Sequence, residues 1–252
     1  ARTLFACKQV GLNVASDPLM RLNYVGVKGG CVLFVADDPG PISSQTEQDT
    51  RRFASFAKVP VFDPADVEQG FAMMKAAFDL SERYSTPVIV RPTTRVCHSS
   101  TFLEVQNHTD ARPADGFVKD DSKWVIFPAR AYRGHLEIQE RLACIEEEFS
   151  GNSSSCSSEH EDLSLFNPVT ECGDAPRFGI VCGGVSTAYA LEALEFLSQR
   201  AALPSYRFMQ IGTPFPFPGK AASAFLEGLE RVMVFEELDH VSEEELVRLV
   251  GL

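Results

Sequence analysis

The sequence is poor in the features that mark membrane and secreted proteins. No apolar run approaches the ~20 residues that a bilayer span needs. The first seven residues, ARTLFAC, lack the long apolar core and the cleavage pattern of a signal peptide. The seven cysteines are scattered, and no C-x-x-C pair indicates a zinc or iron–sulfur site. Their odd number favours reduced thiols and therefore a cytoplasmic location.

Positive charge is also scarce. The chain has 23 Lys and Arg against 35 Asp and Glu, a formal net charge of −12. Because phosphate binding needs a local excess of Lys and Arg, nucleic acid and anionic membranes are disfavoured as partners. The five histidines include no pair at metal-ligand spacing, so no metal site is predicted. Dinucleotide, Walker and G-x-S-x-G patterns are missing too, so the residues alone offer no complete catalytic centre.

What the chain does contain is a series of short buried strands separated by helices. The run Cys31–Ala36 is apolar at every position, which is typical of a strand in a parallel sheet covered by helices on both faces. The alternation predicts two α/β units with doubly wound parallel sheets. We place these units at residues 1–97 and 174–252. The connector between them, residues 98–173, is predicted to hold one helix and a disordered, low-complexity insert at 151–162.

Three further segments carry local signals for helix starts. Asp63-Pro64 predicts a helix with Asp63 as N-cap and Pro64 as its first residue. Ser242 and Glu245 have the spacing of a capping box for the last helix. The turn GGVST at residues 183–187 could bind a phosphate at a helix N-terminus or serve as a tight packing turn. It lacks the G-x-G-x-x-G spacing, which favours the packing turn.

Polar residues follow two of the predicted strands directly. In open α/β sheets ligands bind outside the carboxyl ends of the strands, so these residues are candidates for a site. A solvated loop and simple ion pairs are the competing interpretations. The candidates are Asp37, Asp38, Ser43, Ser44, Gln45, Arg91 and Arg95.

Several longer motifs occur in a fixed order along the chain. They are K-x-V-G-L-N-V-A-S-D-P-L-M, V-A-D-D-P-G, S-S-Q-x-E-Q-D-x-R, R-x-T-T-R-V-x-H-S, G-T-P-F-P-F-P and V-F-E-E-L-D. In this order the chain resembles the alpha subunit of indolepyruvate ferredoxin oxidoreductase, within the thiamine-diphosphate-dependent 2-oxoacid:ferredoxin oxidoreductase family. The resemblance covers nearly the whole chain except residues 151–162, which look like an insertion.

The resemblance implies a fold, a reaction and a set of partners. It implies a partial pyrimidine-binding (thiamine diphosphate) domain followed by a transketolase-C-terminal-like domain. The implied reaction is the oxidative decarboxylation of indolepyruvate or another aryl pyruvate with coenzyme A, which gives an acyl-CoA, CO2 and reduced ferredoxin. Thiamine diphosphate with Mg²⁺ would be shared with a domain outside this chain, and iron–sulfur clusters would lie elsewhere in the parent enzyme. The implied partners are the remaining domains of the alpha subunit, a beta subunit, ferredoxin and coenzyme A, in an oligomer.

The resemblance also implies roles for residues. The loop after the first strand would approach the cofactor through Lys8, Gly11, Leu12 and Asn13. The polar residues from Asp37 to Gln45 would face the substrate or a partner. Pyruvate-specific relatives place an arginine near the Asp37 position, and here Arg91 or Arg95 could supply that charge. The glutamate that activates the cofactor lies upstream in this family, so we expect no catalytic residue in this chain and a fragment that is inactive alone.

Two other functions stay open at this point. One is a non-catalytic assembly or regulatory module on the same fold. The other is an unrelated nucleotide-binding α/β protein, which rests only on the glycine pair at residues 183 and 184.

Overall fold

The computed structural model describes residues 1–105, 116–151 and 161–251, which form two α/β units. The strands are β1 (Thr3–Lys8), β2 (Cys31–Ala36), β3 (Val61–Phe62), β4 (Val88–Val90), β5 (Val169–Cys172), β6 (Phe178–Gly183), β7 (Tyr206–Ile211) and β8 (Arg231–Phe235). The helices are α1 (Gln9–Val25), α2 (Thr50–Ala57), α3 (Val67–Tyr84), α4 (Thr94–Cys97), α5 (Asp121–Trp124), α6 (Pro128–Phe149), α7 (Ser186–Ser198), α8 (Gly219–Leu226) and α9 (Val241–Val250). A 3₁₀ helix spans Leu163–Phe166.

The first unit is a parallel sheet with the strand order β1-β2-β4-β3. Helices α1 and α2 contribute Leu12, Leu19 and Ala54 to the core on one face. Helix α3 and the end of α6 contribute Met73 and Ile145 to the core on the other face. Covering both faces explains why β2 is apolar along its whole length.

The second unit has the strand order β5-β7-β6-β8. Strands β6, β7 and β8 are parallel, whereas β5 pairs with β7 in the antiparallel direction. Helices α8 and α9 pack on one face of this sheet, and α7 packs on the other. Both units are therefore dominated by parallel strands, and the predicted fold class is confirmed.

The predicted connector contributes to both units. Its helix α6 packs against the first sheet, and its strand β5 extends the second. Strand β5 was not predicted, because all four of its residues are exposed and give no apolar signal. The boundaries at 97 and 174 stay a prediction. The insert predicted at 151–162 lies mostly outside the described residues.

Two helices in the first unit begin at other residues than predicted. Helix α1 starts at Gln9, directly after β1, where the resemblance implied a loop. Its buried leucines hold it against the sheet despite Pro18. Helix α3 starts after Asp66, whose side chain accepts the amide of Gln69 at 2.8 Å. The predicted N-cap, Asp63, is buried and binds an arginine instead.

The capping box predicted for α9 is also wrong. The carboxylate of Glu236, at the end of β8, accepts the amides of Ser242 at 3.0 Å and Glu243 at 3.2 Å. A carboxylate that follows a strand therefore replaces the local side-chain cap. In the described parts of the chain, none of the helices combines the length and the apolarity that crossing a bilayer requires.

Candidate functional site

The carboxyl ends of three neighbouring strands meet at one edge of the first sheet. Lys8 ends β1, Asp37 follows β2, and Arg91 follows β4. The residues between β2 and α2 form a polar loop (residues 41–48) at this same edge. We call this region, with the first turns of α1, the candidate edge.

Hydrogen bonds join the start of α1 to the polar loop. The Nζ atom of Lys8 donates to the hydroxyl of Ser43 at 2.8 Å. The amide of Asn13 donates to the Oε1 atom of Gln48 at 2.9 Å, and the amide of Gln9 donates to a main-chain oxygen of the loop at 3.1 Å. The structure thus brings together two groups of residues that were predicted separately, one to approach the cofactor and one to face the substrate or a partner.

The four residues predicted to approach the cofactor lie in or directly before helix α1. The helix determines which of their side chains lie at the surface of the candidate edge. Leu12 is 2 % exposed and belongs to the core. Gly11 allows close packing, because a Cβ atom there would lie 2.8 Å from the Cβ of Cys7. Lys8 and Asn13 are therefore the two of these residues whose polar side chains lie at the surface.

Asp38 organises the polar loop from within. Its buried carboxylate accepts the amides of Ile42 at 3.2 Å and Ser43 at 2.8 Å, and the hydroxyl of Thr94 at 2.7 Å. These hydrogen bonds, first of all the one from the Ser43 amide, hold the pKa of Asp38 well below its usual range. The expectation that Asp38 faces a substrate is corrected, because its oxygens bind the loop itself.

Arg91 and Asp37 also lie in the interior. The Nε atom of Arg91 donates to Asp37 at 2.7 Å, and its Nη1 atom donates to both oxygens of Asp63 at 3.2 Å. Asp37 accepts the amide of Thr50 at 3.0 Å as well as its hydroxyl. A buried guanidinium needs anionic partners, and the two acids at the strand ends, Asp37 and Asp63, supply them for Arg91. The expectation that Arg91 and Asp37 face a ligand is corrected.

Burial and ion pairing compete in setting the pKa values of this cluster. Burial raises the pKa of Asp63. Burial also acts to lower the pKa of Arg91, but the surrounding carboxylates outweigh it and the net pKa is raised well above its usual value. Arg91 therefore stays charged.

The remaining three candidates differ in accessibility. Arg95 is exposed and donates to Glu237 of the second unit at 2.8 Å. Ser44 is half-buried in the polar loop, and Gln45 is exposed. Among the predicted site residues, those with polar side chains at the surface are thus Lys8, Asn13, Ser43, Gln45 and Arg95.

A second cluster, which was not predicted from the sequence, links the two units. Arg51 binds Asp49 with a shortest distance of 2.6 Å, and it binds Glu236 of the second unit at 2.8 Å. Glu236 in this cluster and Asp63 in the Arg91 cluster each directly follow a strand. That position at a strand end is the signal in the sequence that could have identified both as candidate site residues. The pairing could not be predicted, because Arg51 and Glu236 are 185 residues apart.

The glycine turn at residues 183–187 faces an acid. Gly184 has a φ of +52°, and a Cβ atom there would lie 3.0 Å from an Asp63 oxygen. A neighbouring carboxylate disfavours phosphate, so the structure favours the packing turn over the nucleotide site. Among the described residues, no group of three or more His, Cys, Asp or Glu side chains is placed to hold a metal ion.

Comparison with curated proteins gives a consistent set of relatives. The chain is 38 % identical over 250 residues to indolepyruvate oxidoreductase subunit IorA of Pyrococcus horikoshii. It is 39 % identical over 250 residues to IorA of Thermococcus kodakarensis, and 34 % identical over 252 residues to IorA of Archaeoglobus fulgidus. The resemblance to the indolepyruvate oxidoreductase alpha subunit is confirmed. These matches include 97 to 100 % of this chain but only 36 to 37 % of the IorA subunits.

Solved structures support the fold. A 2-oxoglutarate:ferredoxin oxidoreductase from Magnetococcus marinus matches with a TM-score of 0.63 and 15 % identity, over 98 % of this chain and 48 % of that one. A split-gene transketolase, described as an inactive beta4 tetramer, matches with a TM-score of 0.51 and 14 % identity, over 98 % of this chain and 62 % of that one. No protein-family model matches the chain. At these identities the structural matches establish the architecture alone.

Proposed function

We propose that this chain is part of an IorA-like subunit and forms one wall of a thiamine diphosphate site in a 2-oxoacid:ferredoxin oxidoreductase. The observation that carries the proposal is the contact between the start of α1 and the polar loop at the carboxyl edge of the first sheet. It agrees with the names of the IorA relatives.

The reaction we propose is the oxidative decarboxylation of indolepyruvate or another aryl pyruvate. The 2-oxoacid loses CO2, its acyl group forms a thioester with coenzyme A, and two electrons pass to ferredoxin. Thiamine diphosphate supplies a carbanion-stabilising centre when bound. The residues of this chain would hold and orient it or the substrate. A beta subunit, the remaining domains of the alpha subunit and a cytoplasmic location complete the proposal.

The donor set at the candidate edge fits part of that cofactor. Lys8 and Asn13 can donate hydrogen bonds to an anionic or heteroaromatic ligand. The carboxylate that the aminopyrimidine ring requires is not supplied by Asp37 or Asp38, because their oxygens already accept hydrogen bonds from Arg91, Thr50 and the loop amides. The edge therefore suits one wall of the site, and the carboxylate, Mg²⁺ ligands and iron–sulfur clusters would come from other domains.

Calorimetry tests whether this chain needs those other domains. We expect weak or no binding when thiamine diphosphate and Mg²⁺ are titrated into the chain alone, because Asp37 and Asp38, the acids that directly follow β2, already bind groups of the chain itself. Circular dichroism of the same sample verifies that the chain is folded. Tight, saturable binding would contradict the proposal of a shared site.

A non-catalytic assembly or regulatory module is the second candidate. The observation that favours it is that Asp37 and Asp38 at the candidate edge both serve the fold. The test is to add the chain to a complete oxidoreductase and to measure its turnover. A regulatory module is expected to change this turnover although it contributes no contact to the cofactor.

A further inference from the structure

The polar loop is followed by a buried set of ion pairs and hydrogen bonds, centred on Asp49 and Arg51, that binds the second unit. We call this set the clamp. Asp49, directly after the loop, caps α2 by accepting the amide of Arg51 at 2.9 Å. The guanidinium of Arg51 binds Asp49 and then reaches across to Glu236 at 2.8 Å. It also donates to the carbonyls of Glu237 at 2.6 Å and Asp239 at 3.0 Å. In return, the amide of Asp239 donates to Asp49 at 3.2 Å.

The clamp is more deeply buried than the neighbouring ion pairs of Arg52. The side chains of Arg51 and Asp49 are each 1 % exposed, and that of Glu236 is 7 % exposed. Arg52 pairs with the same part of the second unit, but its side chain is 40 % exposed. A planar, five-donor guanidinium suits the fixed geometry of a buried clamp, whereas an exposed pair is weakened by solvent.

The clamp continues into the candidate edge. The residue between Asp49 and Arg51 is Thr50, whose amide and hydroxyl bind Asp37. Asp37 in turn binds Arg91. The far end of the loop is held by Asp38. The loop is thus fixed at both ends, and one of these attachments includes the second unit.

We propose that Arg51 is a positioning residue that fixes the polar loop through its clamp on the second unit, so that the candidate edge takes its shape only when the two units are docked. The proposal rests on the proposed function for the role of the loop, and it adds a route by which the second unit controls ligand binding at the first. Glu236 is central to it, because the same carboxylate caps α9 and binds Arg51.

Hydrogen exchange of the whole chain, without ligand, tests the coupling. In Arg51→Met we expect amides in residues 42–50 and 237–239 to lose protection by about tenfold or more, while β2 and β6 keep theirs. Arg52→Met is the matched control and should leave the loop unchanged. Glu236→Gln changes only the second unit, and it should loosen the loop in the first.

The outcomes separate the coupling from general stability. Wild-type protection of residues 42–50 in either folded variant, Arg51→Met or Glu236→Gln, would overturn the proposal. Loss of protection that is equal in all peptides of both variants would overturn it too. If Arg51→Met does not fold, Glu236→Gln decides the result alone. Arg51→Lys should restore part of the protection, because one ammonium can bind only some of the partners.

Kinetics of the complete oxidoreductase give a readout that a merely structural role would not change. A smaller folded fraction lowers kcat and leaves KM unchanged. A displaced loop instead raises KM for the 2-oxoacid, by about tenfold in Arg51→Met, with kcat within about twofold. A fall in kcat alone would overturn the positioning role. If the loop loosens but Lys8 proves irrelevant to cofactor binding, the proposed function fails and the coupling stands.

Discussion

Four arginines at the candidate edge and the junction between the units differ mainly in burial. Arg51 and Arg91 have side chains that are 1 % exposed, whereas Arg52 and Arg95 are 40 % and 44 % exposed. All four bind carboxylates, so ion pairing by itself does not distinguish them. Removing one member of a buried pair leaves an uncompensated charge in the interior, and removing an exposed pair does not.

This contrast gives a prediction for stability. Arg91→Met should lower the free energy of unfolding by roughly 3–5 kcal/mol, because Asp37 and Asp63 would be left buried without their cation. Arg95→Met should lower it by less than about 1 kcal/mol. Urea denaturation measures both values. Equal effects of the two substitutions would contradict the structural role assigned to Arg91.

Asp38 gives a prediction for pH. The pKa of Asp38 is lower in the folded chain than in the unfolded chain. Its contribution to the free energy of unfolding is therefore fully present above the unfolded pKa of about 3.9, and it is lost as the pH falls from there through the folded pKa. Asp38→Asn should therefore reduce the loss of stability between neutral and acidic pH. Denaturation curves across this range measure it, with the exposed Asp17→Asn as control. An unchanged pH profile in Asp38→Asn would show that the carboxylate does not hold the loop.

At the scale of elements, the alternation of strands and helices could be predicted from the sequence, whereas the exposed strand β5 and several helix ends could not. Strand β2 was predicted because burial on both faces requires apolar residues throughout. The start of α1 was missed, because its packing on β1 gives a helix where the resemblance implied a loop. The cap of α9 was missed because Glu236 reaches it from another element.

For the candidate edge, too, only part of the structure could be predicted from the sequence. The position of the polar loop follows from the rule that ligands bind at strand carboxyl ends. Which side chains point outward does not follow, since Asp37 and Arg91 look identical in sequence to exposed site residues. Their burial depends on Asp63, which is brought to them by the fold.

Two glycines test how α1 is placed. Gly11→Ala should destabilise the chain, because the new Cβ atom would lie 2.8 Å from the Cβ of Cys7. Gly70→Ala, in α3, meets its nearest neighbour at 3.6 Å and should stabilise the chain by up to about 1 kcal/mol. Thermal unfolding compares them. A Gly11→Ala variant as stable as Gly70→Ala would mean that α1 does not pack so closely on β1.

At the scale of the whole molecule, two units with separate cores share one buried set of charges. Arg51 of the first unit binds Glu236 of the second, beside the strand-end cluster of the first sheet, which consists of Asp37, Asp63 and Arg91. The chain matches only 36 to 38 % of the length of its IorA relatives. A wall that needs other domains to form a complete site agrees with that coverage.

The affinity of the complete subunit for thiamine diphosphate tests the central claim most directly. Calorimetry in the presence of Mg²⁺ should give a Kd that is raised by roughly tenfold or more in Lys8→Met, because a charge-assisted hydrogen bond is lost at the candidate edge. Lys28→Met is the control, since this exposed lysine precedes β2 at the opposite end of the strands. Wild-type affinity in Lys8→Met would contradict the claim that this edge is a wall of the cofactor site.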